Sequence, residues 1–262
     1  MLWHAQSRPT IQKLDKNMPV VVPVASCEQH GRHLPLFVDT IQVTSIAERV
    51  EKEMADQILL TPTLWLGCSH HHMDYPGTIS VAPSLFSQII KSIAQSILRA
   101  GFKRIVFLNG HGGNEIPGSQ ALTELVNEDD DADGACLAFS SWWMVAKEGL
   151  AAEKHGMSSP QVSHACEYET SLMLFLRPDL VVMDEIVQND PILETPWYHS
   201  EYGGRVHVFH RFSRLTAPGN MGKPKEASAE KGESLFRAVI ADVKSFLTDF
   251  ATWPKFERIG PK

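Results

Sequence analysis

Short, continuously apolar runs alternate with longer segments whose apolar residues recur at helical intervals, and this alternation constrains the fold more than any other feature. Such short runs predict strands covered on both faces, whereas a helical period predicts amphipathic helices. Strands that alternate with helices form mainly parallel sheets with helices on both sides. We therefore predict an α/β fold, a three-layer α/β/α sandwich with a central, mostly parallel sheet. The predicted strands span residues 19–25, 57–60, 104–108 and 135–140, and the predicted helices begin near residue 39 and lie within 83–100, 115–126, 164–175 and 228–250.

The composition narrows the class of protein. The 262 residues are 43% apolar with a formal net charge of -7, which suits a globular protein with a substantial core. Nothing divides the chain, so we predict a single domain over residues 1–262. The acidic balance argues against a nucleic-acid partner, and no apolar run is long enough for a membrane span. The four cysteines show no CxxC spacing and the N-terminus lacks the order of a signal peptide, so we predict a cytoplasmic protein.

Four polar clusters follow predicted strands or precede predicted helices. In parallel sheets, sites form outside the carboxyl ends of the strands, so we expect these clusters to meet at one edge. Carboxylates and imidazoles without paired cysteines favour a catalytic Zn, Mn or Fe(II) site. Burying so many of them without a cation would be costly. The clusters are EQHGRHLPLFVD (28–39), CSHHHMDYPGT (68–78), NGHGGN (109–114) and HACEYETS (164–171).

Other interpretations of these clusters are weaker. A lone histidine is more often a hydrogen-bonding residue than a ligand. NGHGGN could present backbone N–H groups to phosphate, but it lacks both the Lys-Ser/Thr of a Walker loop and the GxGxxG spacing. No GxSxG elbow indicates a serine nucleophile. A binding protein without catalysis remains an alternative. The irregular stretch 188–225 is expected to form a lid or a subunit contact.

Five motifs together resemble the creatininase (creatinine amidohydrolase) family between residues 21 and 232. They are EQHGxHLPLxxD, a loop similar to GxSxxHxxFPGT, NGHGGN, HAxExETS and a late ASAEKG. The resemblance implies a three-layer α/β fold and a homohexamer. It also implies a site that holds two divalent metal ions per chain, which would be zinc, manganese or iron.

The resemblance assigns roles to individual residues. It implies that Glu28 binds one metal, that His30 binds the other, and that Asp39 bridges both. His111 is expected to be a further ligand. His164 resembles the acid/base histidine of the family and is the expected catalytic residue.

The last ligand departs from the family pattern. Creatininase has a glutamate two residues after the loop histidine, where this chain has Gly113. We therefore expect Glu167 to bind the second metal, with Glu169 as the alternative. The expected substrate contacts are Ser69, His72, Gly112, Trp142, Trp143 and His33.

The resemblance also limits the substrate. Creatininase has an aromatic residue where this chain has Gly112, and a tryptophan a few residues before the position of His164 is missing from SSPQVSH. Creatinine itself is therefore doubtful. We expect a small-molecule substrate whose non-peptide C–N bond, in a cyclic amide or formamide, is hydrolysed by a water molecule activated between the metals. The alternative is hydrolytic C–C cleavage that opens the ring of a diketo-inositol or a related keto-sugar.

Overall fold

A parallel sheet of four strands lies at the centre of the structure. The computed structural model describes residues 1–256 and 259–260. The order of the strands across the sheet is β2-β1-β3-β4, and each neighbouring pair is parallel. The four predicted strands are confirmed, with ends that differ by one or two residues. They are Val20–Val24 (β1), Leu59–Leu60 (β2), Arg104–Asn109 (β3) and Cys136–Ser141 (β4).

Eight α-helices occur in the described part of the chain. The five longest coincide with the predicted helices. The three shortest were not predicted, because six residues or fewer are too few for a helical period to be recognised. The helices are Arg8–Lys13 (α1), Val38–Glu53 (α2), Pro83–Arg99 (α3), Glu115–Glu128 (α4), Trp142–Val145 (α5), Ala152–His155 (α6), Glu167–Leu176 (α7) and Ala229–Phe250 (α8).

Side chains of the strands alternate between two apolar cores. Val21 and Val106 pack with buried residues of α2, α7 and α8 on one face of the sheet. Val22 and Ile105 face the other way and pack with α3 and α4. This alternation is what a strand covered on both faces requires. The predicted three-layer arrangement is thus confirmed.

The stretch 188–225 is largely irregular, as expected from its sequence. It contains one short antiparallel pair, Tyr198–His199 (β5) with Gly203–Gly204 (β6). Farther along, Phe212–Arg214 forms a 3₁₀ turn that lies over the carboxyl end of the sheet. Among the residues that the structure describes, no helix is both long and apolar enough to cross a bilayer.

Candidate metal centre

The polar clusters meet at the carboxyl ends of β1 and β3. Glu28 and His30 follow β1, His111 follows β3, and Asp39 lies in the first turn of α2. Glu169 lies in the first turn of α7. All five side chains are buried. The sequence-based expectation that these clusters share one edge of the sheet is therefore met.

Asp39 stands between two imidazoles. Its Oδ1 lies 3.0 Å from Nε2 of His30, and its Oδ2 lies 3.0 Å from Nδ1 of His111. The hydroxyl of Ser26 donates to Oδ2 at 2.7 Å and fixes the rotation of the carboxylate. Two oxygens that face two different groups are what a bridging carboxylate needs.

Glu28 completes the group around His111. Its Oε1 lies 3.3 Å from Nδ1 of His111. Its Oε2 is buried and has no hydrogen-bond partner among the described residues. A buried carboxylate oxygen without a partner is costly, and a cation would satisfy it.

His30, Asp39 and Glu169 form the second group. One ligand atom from each lies within 4.8 Å of the others, and Nε2 of His30 is 3.8 Å from Oε2 of Glu169. The N–H of Ala165 donates to that same oxygen at 2.5 Å. Ala165 has a φ of 50°, an unusual value for a residue with a side chain, at the turn that brings α7 to the site.

Hydrogen bonds to carbonyl groups orient the two imidazoles. Nδ1 of His30 lies 3.1 Å from the carbonyl of Glu28, and Nε2 of His111 lies 3.1 Å from the carbonyl of Cys68. If each of these two nitrogens carries the ring proton and donates a hydrogen bond to its carbonyl, the other nitrogen of each ring is unprotonated and faces the carboxylates. This is the orientation of metal-binding histidines, so the donor set fits a divalent cation at each group.

Glu167 lies on another face of α7 and does not reach this cluster. It accepts hydrogen bonds from the backbone N–H groups of Ser158 and Ser159, and Nζ of Lys231 lies 2.7 Å from its Oε1. Positions two apart on a helix point in nearly opposite directions. The structure thus brings Glu169, the alternative given by the sequence, to His30, and leaves Glu167, the preferred residue, outside the cluster.

The backbone at Gly113 leaves no space for a side chain. A Cβ atom at this position would overlap the carbonyl oxygen of Cys68 and the imidazole of His111. No glutamate could stand here without a change in the backbone. In this chain, Glu169 of α7 brings a carboxylate to the cluster.

Burial raises the pKa values of the carboxylates, whereas the neighbouring imidazoles lower them. Burial would raise the pKa of Glu28, but the charges of His111 and His72 outweigh it and hold that pKa well below its usual range. The pKa of Asp39 is likewise lowered, by His30 against the effect of burial. Burial raises the pKa of Glu169 to about 7 despite the neighbouring His30.

The histidines divide into two classes. Burial would lower the pKa of His30, but Asp39 raises it to about 9, and Glu28 raises the pKa of His111 well above its usual value in the same way. Burial instead lowers the pKa of His72 to about 3, and burial together with His30 holds that of His164 well below normal. Protons on the first class stand where cations would bind, so metal binding is expected to release them.

His164 faces the cluster with one nitrogen. Its Nε2 donates to the carbonyl of Gln29 at 2.8 Å, and its Nδ1 lies 3.5 Å from Oε1 of Glu28. Nδ1 is therefore the nitrogen that can exchange a proton with a bound molecule. This placement suits the acid/base role expected from the sequence.

A cavity of about 230 Å³ opens above the cluster. Of the expected substrate contacts, His72, Gly112 and Trp143 line it. The structure also brings His71 and Phe212 to its wall, which the sequence analysis did not single out. His71 belongs to a histidine triplet whose useful members cannot be recognised by spacing, and Phe212 lies in the aperiodic stretch.

Three other expected contacts lie outside the wall of this cavity. Trp142 is 1% exposed and packs in the apolar core between the sheet and α8. His33 is buried, with Nε2 2.9 Å from the hydroxyl of Thr170. The hydroxyl of Ser69 lies 3.2 Å from Nε2 of His111, whereas Asp39 faces the other ring nitrogen, Nδ1.

Comparison with known proteins identifies the family. Residues 4–247 match the creatininase family, described as creatinine amidohydrolase. The chain belongs to the creatininase family. Its members are metal-dependent hydrolases, and this chain, with its candidate metal-binding clusters, is an enzyme of that kind.

Relatives of this chain are named for different substrates. This chain is 32% identical to the mycofactocin precursor peptide peptidase of Mycolicibacterium smegmatis, over 88% of this chain and 85% of that protein. It is 27% identical to the creatinine amidohydrolase of Pseudomonas putida, over 86% of each chain. It is 26% identical to the 3-dehydro-scyllo-inosose hydrolase of Thermotoga maritima, over 88% of this chain and 76% of that protein.

A solved structure of creatinine amidohydrolase has the same fold. It superposes with a TM-score of 0.80 at 24% identity, over 95% of this chain and 96% of the other. The central parallel sheet and its flanking helices are thus those of the creatininase fold.

Proposed function

We propose that this protein hydrolyses a non-peptide C–N bond in a small cyclic amide or formamide, with two divalent metal ions, which would be zinc, manganese or iron. One observation carries the proposal. The two oxygens of Asp39 face two separate ligand groups on the floor of a cavity of about 230 Å³, and His164 faces the same space.

Each ion has an assigned set of ligands in this proposal. Glu28 and His111 would hold one ion, His30 and Glu169 would hold the other, and Asp39 would contribute one oxygen to each. Bound there, the ions would supply Lewis-acid activation of a water molecule and polarisation of a carbonyl group.

The protein's own groups complete the reaction. His164 is placed to take a proton at Nδ1 from the attacking water and pass it to the departing nitrogen, while the bond from its Nε2–H to the carbonyl of Gln29 keeps the ring in position. The backbone beside Gly112 lines the cavity without a side chain, so its N–H groups can approach the oxygen that becomes negatively charged.

The size of the cavity supports a small substrate. A cavity of about 230 Å³ lies below the roughly 300–1,000 Å³ usual for drug-sized ligands. Two of the relatives are named for the cleavage of amide-type C–N bonds, in creatinine and in a peptide. The size of the cavity favours the smaller kind of molecule.

Ring-opening C–C hydrolysis of a diketo-inositol or related keto-sugar is the second candidate. The Thermotoga maritima relative, named 3-dehydro-scyllo-inosose hydrolase, supports it. The same activated water and the same acid/base histidine would serve both reactions, so the substrate alone distinguishes them.

Assays with the metal-loaded protein test the choice. We expect protein loaded with zinc or manganese to hydrolyse a cyclic amide or formamide, for which creatinine and a formamidopyrimidine are the probes, and to lose this activity after chelation. Turnover of a diketo-inositol alone would favour the second candidate. No activity on any cyclic amide or formamide would reject the first.

Replacing His164 tests the acid/base role. The His164→Gln variant is expected to keep its metal content and to lose about 10²–10⁴-fold in kcat, because no group would protonate the leaving nitrogen. His155→Gln is the matched control, since His155 lies away from the cluster, between Ser234 and the carbonyl of Gly149. A His164→Gln enzyme with unchanged kcat would rule out this role.

A cytoplasmic homohexamer with one domain per chain is also part of the proposal. Sedimentation of the purified protein would test the hexamer, and cell fractionation would test the location. A stable monomer would contradict the first.

A further inference from the structure

The ring of Phe212 closes the cavity beside two histidines of the site. Its centroid lies 4.2 Å from that of His72 and 4.7 Å from that of His164. The ring is 9% exposed and lines the cavity, whereas Phe209, three residues earlier, is 80% exposed. Of the two phenylalanines in the stretch 188–225, only Phe212 is buried against the histidines of the site.

Asp74 accepts hydrogen bonds from the residues on both sides of Phe212. Its Oδ1 lies 3.0 Å from Nη1 of Arg211, and its Oδ2 accepts a hydrogen bond from the hydroxyl of Ser213 at 2.5 Å. The next residue, Tyr75, donates its hydroxyl to the carbonyl of Thr216. The loop after β2 therefore fixes the backbone that carries the ring.

The same segment is tied to the acid/base histidine. The N–H of Met221 donates to the carbonyl of His164 at 2.9 Å, and the side chain of Gln29 donates to the carbonyl of Gly219 at 3.0 Å. The position of the ring and that of His164 are therefore set by one continuous piece of chain.

We propose that Phe212 is a specificity-determining residue that selects flat, conjugated substrates over puckered polyols, and that Asp74 is the positioning residue that holds it. This inference rests on the proposed hydrolysis of a cyclic amide or formamide. A flat amide can offer its face or edge to the ring, a contact that stabilises binding beyond simple burial. A saturated polyol has no such face, and its hydroxyl groups would lose water beside an apolar ring that cannot hydrogen-bond.

Binding of probes of different shape tests the role of the ring. Zinc-loaded protein carrying His164→Gln, which slows turnover during the measurement, would be titrated calorimetrically with creatinine and a formamidopyrimidine as flat probes and with myo-inositol as the puckered probe. In Phe212→Leu, we expect affinity for the flat probes to fall about 3- to 10-fold, with no loss for myo-inositol. Phe212→Tyr keeps the ring and should bind like the parent, and Phe209→Leu is the matched control.

The Asp74 variant tests the positioning role. In Asp74→Ala, we expect KM for a flat substrate to rise several-fold while kcat changes less, because the ring is displaced and the metal ligands are not touched. Asp179→Ala removes another exposed carboxylate, paired with Arg177, and should leave KM unchanged. If Phe212→Leu does not fold, this variant and Phe212→Tyr carry the test.

The outcomes separate this inference from the proposed function. Equal loss of affinity for flat and puckered probes in Phe212→Leu, or unchanged affinity for both, would overturn the selective role while the proposed activity stands. An unchanged KM in Asp74→Ala would overturn the positioning role. A parent protein that neither binds a flat probe nor hydrolyses one would reject both the proposed function and this inference.

Discussion

Two glutamates of HACEYETS have opposite surroundings although they are two residues apart. Glu169 faces His30 among other carboxylates, and burial raises its pKa to about 7. Glu167 faces backbone N–H groups and the ammonium group of Lys231. Only Glu169 therefore has surroundings that fit a metal ligand.

Exchanging each carboxylate for an amide distinguishes these roles. Glu169→Gln is expected to lose about one bound ion per chain, since an amide is a poorer ligand than a carboxylate. Glu167→Gln should retain both ions and lose stability instead, because Lys231 would lose its partner. Elemental analysis and thermal unfolding of both variants provide the measurement. Loss of metal from Glu167→Gln with retention by Glu169→Gln would restore the original assignment.

The sequence predicts the residues of this site where a motif fixes their surroundings. Glu28, His30 and Asp39 belong to one compact pattern and come together as expected. The sequence does not decide between Glu167 and Glu169, because the choice depends on which face of α7 meets the sheet. That face is set by tertiary packing and not by the spacing of the motif.

The contact between α7 and α8 depends on a residue without a side chain. A Cβ at Gly232 would overlap the carbonyl oxygen of Ser171. On the turn before it, the hydroxyl of Ser228 caps α8 by accepting from the N–H of Lys231, and Lys231 reaches back to Glu167 of α7. The motif ASAEKG is therefore a docking element between two helices.

We predict that Gly232→Ala lowers the free energy of unfolding by about 1–3 kcal/mol, because the added methyl group forces the helices apart. Chemical denaturation measures the change. Gly112→Ala is the control, since a Cβ there meets nothing within 4 Å, and it should remain within about 0.5 kcal/mol of the parent. Equal stability of the two variants would contradict the close contact.

Elements were predictable where a period repeats over several turns or residues. The stripe of α3 and the β-branched run of β1 indicated both the type and the place of each element. The hairpin of β5 and β6 has only two residues per strand and no alternation to recognise. Its conformation depends on contacts that the local sequence does not encode.

On the scale of the whole molecule, the fold gathers three carboxylates and several imidazoles at one end of the sheet. Desolvation of these groups and repulsion among the carboxylates oppose folding, and bound cations would offset both. A ligand that binds only the folded state stabilises it, by about 4 kcal/mol at a free concentration a thousand times its Kd.

Metal removal should therefore destabilise the protein as well as inactivate it. We expect a chelator to lower Tm by several degrees and added zinc or manganese to restore it. In Asp39→Ala, which lacks the bridging carboxylate, the chelator should have little effect. A parent protein with the same Tm before and after chelation, at confirmed metal loss, would contradict this coupling.

The layered architecture was predictable as a whole, but the position of Phe212 in the wall of the cavity was not. The order of strands and helices implies the sheet and the edge at which the clusters meet. The position of Phe212 depends on hydrogen bonds from Arg211 and Ser213 to Asp74. No periodic pattern in the sequence predicts these bonds.

The candidate ligands are far apart along the chain, from Glu28 to Glu169, and this separation has a consequence for the order of folding. The group of Glu28, Asp39 and His111 can form only after β1 pairs with β3, and the group that contains Glu169 also requires the docking of α7. Cations that bind so late act mainly on the native state and little on the folding transition state. They should therefore slow unfolding far more than they speed folding, so the metal-loaded enzyme would owe its persistence to a raised kinetic barrier.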